Sequence, residues 1–79
     1  MLKLKNINRN GNIISAEYDP ENSGLLGSLS LDIKTGELLS SNISDFEGDM
    51  PIYFHHALTG LRSLIIQELI PNEKLIMWY

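Results

Sequence analysis

Seventy-nine residues, of which 43% are hydrophobic and 20% charged, describe a chain of ordinary globular composition with room for one domain, 1–79. Six Lys and Arg against ten Asp and Glu give a net charge of -4, which disfavours a general polyanion binder because neutralising phosphates takes clustered cations. Cys is absent, and with it go disulfides, thiolate catalysis and cysteine-held metal clusters.

The first fourteen residues carry Lys3 and Lys5 with no apolar run behind them, so no secretory leader is expected. The longest mostly apolar stretch, 52–70, is broken by His55, His56, Arg62, Gln67 and Glu68. A bilayer span takes ~20 predominantly apolar residues, so a cytoplasmic chain without membrane contact is the expectation. In size and style it resembles the small accessory proteins of bacteria and their mobile elements.

Turn chemistry then divides the chain. Leu2 and Leu4 alternate with Lys3 and Lys5, and Asn10-Gly11-Asn12 follows as a hairpin turn, since Asn and Gly accept positive φ cheaply. Ile14, Ala16 and Tyr18 alternate with Ser15 and Glu17 before a longer loop, Asp19-Pro20-Glu21-Asn22-Ser23-Gly24. Leu29, Leu31 and Ile33 alternate with Ser28, Ser30 and Asp32 up to the tight turn Lys34-Thr35-Gly36-Glu37. Leu39 and Ile43 bracket Ser40 and Asn42. Each pattern predicts a strand with one buried and one wet face, joined as an antiparallel meander. By parity Ile13, Leu26 and Leu38 fall on the wet face, beside turns. The stretch 29–38 resembles the strand–turn–strand hairpin of PepSY-type domains, a likeness that follows from turn chemistry and implies no function.

The period then changes. At 100° per residue, Tyr53, Phe54, Ala57, Leu58, Leu61, Leu64, Ile65 and Leu69 fall on one side of a helix over 53–69. Asp49 is placed as its N-cap, Pro51 in its first turn, and Pro71 as its stop. Gly60 falls on the exposed side. The β-rich closing run, 73–79, predicts a fifth strand antiparallel to the first, giving the spatial order 5-1-2-3-4; parallel pairing beside the fourth strand is the alternative. The fold class is α+β: a five-stranded, mainly antiparallel sheet of ββββαβ order with one amphipathic helix on one face.

Candidate chemistry is sparse. His55 and His56 are adjacent on the helix, pointing ~100° apart, and neither has a ligand four residues on. They read as solvated surface residues. Asp45, Glu47 and Asp49 alternate in a loop, where a hard cation is conceivable but an EF-hand pattern is missing; their charge suits the helix start that follows. Lys3, Lys5 and Arg9 beside Trp78 sketch a weak single-strand nucleic-acid platform. If the last strand pairs with the first, Ile76 and Trp78 share the outer face with Lys3 and Lys5. An exposed Trp is a typical interface anchor, so Ile76, Trp78, Lys3 and Lys5 form the candidate interaction surface. Ser40, Ser41 and Asn42 of the fourth strand, at the sheet edge, offer a second place for a partner strand, blunted by their polarity.

The reading that follows is a small, non-enzymatic module working through protein contacts, its own copy included, with no cofactor, no metal and no catalytic residue. Two alternatives stand beside it: a ligand- or metal-binding domain using the 45–56 region, and a weak single-stranded nucleic-acid binder.

Overall fold

The computed structural model describes residues 1–67 and 70–76. Four strands, β1 (Leu2–Asn10), β2 (Ile13–Pro20), β3 (Gly27–Asp32) and β4 (Leu38–Asn42), precede a helix, α1 (Ile52–Leu64), and a short strand, β5 (Lys74–Ile76). All pairings are antiparallel and the order is β4-β3-β2-β1-β5. That is the α+β arrangement expected from the alternation and the turns. The expected hairpins form where the backbone needs positive φ: Gly11 sits at 63° between paired Asn10 and Ile13, and Gly36 at 75°. The second turn is pinned by Asp32, whose carboxylate accepts the amides of Lys34 (2.8 Å) and Thr35 (3.2 Å).

The core lies between one sheet face and α1. Leu2, Leu4, Ile7, Ile14, Ala16, Tyr18, Leu29 and Leu31 meet Phe54, Ala57, Leu61 and Leu64, all buried. The helical residues recur at intervals of three and four, the stripe that removes one face of a helix from water. α1 packs across β1, β2, β3 and β5 and, among the described residues, does not reach β4.

Two β-bulges alter the simple alternation. In β1 the pairing passes from Lys5↔Glu17 to Asn8↔Ser15, so one extra residue is accommodated. Asn6 takes it up at φ 51°, a left-handed conformation that Asn tolerates better than most residues, and Ile7 is thereby buried. In β4 the pairing passes from Ser30↔Ser40 to Leu31↔Leu38, leaving Leu39 as the extra residue. Leu38 consequently stands opposite Leu31 on the helix side, not on the wet face where simple parity puts it.

The helix departs from expectation at both ends. Its first residue is Ile52, and no side chain caps Pro51 at the boundary, so Asp49 is not the N-cap. Glu47 does related work from further back: its carboxylate accepts the Phe54 amide at 3.1 Å, satisfying a donor of the first turn. At the other end the helix stops at Leu64, well before Pro71. The Ile65 and Gln67 amides bond to the carbonyls three residues back, Arg62 at 3.2 Å and Leu64 at 3.1 Å, tightening the last turn where two β-branched isoleucines follow each other. Leu69, expected on the apolar stripe, lies outside the described residues.

Gly60 is also placed differently. A Cβ there would stand 2.1 Å from Ile76 Cδ1 and 3.7 Å from Leu4 Cδ1. The glycine is where the helix lets β5 come close.

Candidate functional site

The expected corner of Lys3, Lys5, Ile76 and Trp78 does not assemble as parity suggested. Leu2 pairs with Ile76 and Lys3 with Leu75, so Ile76 faces the helix beside Gly60, and Leu75 takes the outer position next to Lys3. Register causes the reversal: β5 is three residues long, no turn ties it directly to β1, and the Ile7 amide bonding the Asn72 carbonyl at 2.9 Å helps set its position. Trp78 lies outside the described residues. Both lysines are engaged with carboxylates, Lys3 with Glu73 and Lys5 with Asp19, each at 3.1 Å.

The acidic loop is likewise committed to local structure. Tyr18 donates its hydroxyl hydrogen to Glu47 and accepts the Ser44 amide at 2.9 Å, while the other Glu47 oxygen holds the Phe54 amide. Ser44 donates to the Leu25 carbonyl, and the rings of Phe46 and Tyr53 meet edge to face at 5.4 Å. Strand β2, loop 21–26, loop 43–51 and the helix start thus converge on one tyrosine. Burial first, and then the Glu47 carboxylate, push the Tyr18 hydroxyl well above the ordinary phenol range, so it remains a donor at working pH. Tyr18→Phe removes a partner from a buried amide and from a carboxylate. The expected cost is about 2 kcal/mol in urea unfolding at pH 7, and an unchanged midpoint would show the network to be dispensable. No group of three His, Asp or Glu side chains among the described residues is arranged to share a metal ion. His55 is exposed and lies edge-on to Phe54, and His56 lines a shallow groove with Thr59, Ser63 and Lys74. In that groove the Lys74 ammonium donates to Ser63 at 3.2 Å, and the Ser63 hydroxyl donates to the Gly60 carbonyl at 2.6 Å.

The feature that sequence reasoning undervalued is the β4 edge. Every residue of β4 is exposed, and its outward side pairs with no strand among the described residues. Leu38, Leu39 and Ile43 remain 39%, 50% and 43% exposed, because the helix lies over the other strands and leaves this strip uncovered. Residues 38–44 contain no charge and no Pro, two of the devices that commonly blunt an edge; a third, a β-bulge, is present at Leu39. That absence was visible in the sequence, but the polarity of Ser40, Ser41 and Asn42 masked it. The opposite edge differs: β5 spans three residues, includes Lys74 and follows Pro71 and Glu73.

Compared with known proteins, the chain matches no family model, no curated protein and no solved structure. Among the described residues no helix is long and apolar enough to cross a membrane.

Proposed function

We propose that this chain is an accessory interaction module of the cytoplasm, acting through protein contact at β4 and not through catalysis. The observation that carries the reading is an uncharged edge strand whose apolar side its own helix leaves bare. Strand addition at such an edge draws affinity from backbone hydrogen bonds and selectivity from the side chains beside them. Leu38, Leu39 and Ile43 are the side chains available for that role, and Ser40 and Asn42 would line the opposite side of the joined strands.

The test is affinity recovery from a lysate that also contains an untagged copy of the chain, with wild type compared to Leu39→Lys. Position 39 is exposed, so the lysine is tolerated by the fold while it charges the edge. A specific protein, the untagged copy included, should be recovered by wild type and lost with Leu39→Lys. Identical recoveries by the two baits would remove β4 as the working surface.

A further inference from the structure

We infer that the surface formed by loops 21–26 and 43–51 and the start of α1 docks a basic amphipathic segment of another protein. Leu25, Phe46, Met50 and Ile52 receive its apolar side, and Asp45 and Asp49 its cations. The inference goes beyond the β4 reading above and does not depend on it.

The four apolar side chains are all exposed, Met50 at 73%. Hydrogen bonds gather the segments that carry them. The Ser44 hydroxyl donates to the Leu25 carbonyl and accepts the Phe46 amide at 3.1 Å, so one side chain ties the two loops together. The Phe46 ring meets that of Tyr53, the neighbour of Ile52, and the Ile52 amide bonds the Met50 carbonyl at 2.8 Å. Ser44 and Glu47 are meanwhile bonded inward to Tyr18, which fixes the loops with their apolar residues left in water. Exposed apolar residues grouped in this way mark a contact surface, whereas single ones do not. The unbranched Met50 side chain suits such a surface because it adapts to the shape it meets.

Charge identifies the occupant. The two loops hold Glu21, Asp45, Glu47 and Asp49 and neither Lys nor Arg. Glu21 is taken by the Met1 ammonium, and Glu47 by Tyr18 and the Phe54 amide. Asp45 and Asp49 are exposed and have no hydrogen-bond or ion-pair partner among the described residues. Each directly precedes an apolar anchor, Phe46 in one case and Met50 in the other. The cations of the chain lie elsewhere, on β1, β5, the second hairpin turn and the last turn of α1.

An acidic partner would set its own charge against these carboxylates, and so would a second copy of this chain, at net charge -4. A segment with Lys or Arg flanking an apolar stripe complements both features at once. Its leucines cover the apolar anchors, and its long cationic side chains lay their stems on the same surface while their charged ends reach Asp45 and Asp49.

The probe is a helical peptide of about 14 residues built from Leu and Lys, with the leucines on one face. It is titrated calorimetrically into wild type, Asp45→Asn, Asp49→Asn, Met50→Gln and Glu37→Gln. All four positions are exposed, so circular dichroism should show every variant folded. Wild type should bind the peptide, each Asn variant about threefold more weakly and Met50→Gln about tenfold more weakly. Glu37→Gln removes the same charge at the hairpin-turn end of the sheet and should weaken binding less than either Asn variant. A Gly and Lys peptide of equal charge, and a Leu and Glu peptide of equal spacing, should both bind more weakly than the probe. Absence of binding by wild type overturns the inference, as does equal affinity for either control peptide or an equal effect of Glu37→Gln. Light scattering adds a further check: a dimer of the chain alone that Met50→Gln dissolves would make a second copy the occupant and overturn the inference. If the peptide does not bind yet Leu39→Lys loses a protein in the recovery experiment, the β4 reading stands and this one falls.

Discussion

Gly27→Ala should lower the stability of the protein by about 3 kcal/mol, at the upper end of what overpacking a filled core costs. Gly27 is in β3 directly opposite Tyr18 and is not held at positive φ; space is what it provides. A Cβ at this position would lie 2.2 Å from Tyr18 Cε1, 2.5 Å from Cζ and 2.8 Å from the Asn42 carbonyl oxygen. The carbonyl is backbone and cannot swing aside. The ring could move only by giving up its bonds to Ser44 and Glu47 and its edge-to-face contact with Phe54, at 6.1 Å between centroids. Urea unfolding gives the comparison. Gly48→Ala is the control, since nothing lies within 4 Å of a Cβ there and a change within about 0.5 kcal/mol is expected. Equal midpoints for the two variants would mean that the tyrosine ring is not packed on the glycine.

Asp19 is the second position where one substitution should matter, and the effect should depend on pH. Its side chain is only 1% exposed and accepts the Gly24 amide at 3.0 Å and the Lys5 ammonium at 3.1 Å. Burial on its own would raise the carboxyl pKa; the Gly24 amide and the Lys5 ammonium together outweigh it and hold the group below its ordinary range. A folded pKa below the unfolded one means that the unfolded chain binds more protons in acid, so this contribution grows with rising pH. It is complete above the unfolded value of about 3.9 and disappears as pH falls through the folded value. Asp19→Ala should therefore cost about 3 kcal/mol at pH 7, the lower end for breaking a buried pair because Lys5 keeps some access to water. The gap between variant and wild type should narrow as pH falls below the unfolded value. A gap that is the same at pH 7 and at pH 2.5 would assign the loss to packing and leave the ion pair without energetic weight.

These two sites mark where local reading stops. Tyr18 was legible as a core residue from its alternation with Glu17, and Gly27 only as the residue before the alternation that starts at Ser28. Their mutual dependence was not, because it arises from cross-strand register. Asp19 was legible only as the start of a loop. Its burial depends on how loop 21–26 folds back over the end of β2 and on the reach of Lys5 from the neighbouring strand.

By itself the sequence determined the elements and their order. Asn-Gly and Thr-Gly turns, period-two alternation and a 100° apolar stripe are properties of neighbouring residues, and they suffice for a meander, a helix and a closing strand. Tertiary structure alone decided the facing and cover of those elements. The left-handed Asn6 shifts Ile7 into the core, the extra residue at Leu39 turns Leu38 to the helix side, and Gly60 gives Ile76 room beneath the helix. Most consequential for the proposed contact is the position of α1 across the sheet. A helix 13 residues long is only ~10 Å wide with its side chains, while strands lie about 4.8 Å apart, so it cannot cover five of them. Which strand is left bare is settled by packing across the whole chain, and here it is β4.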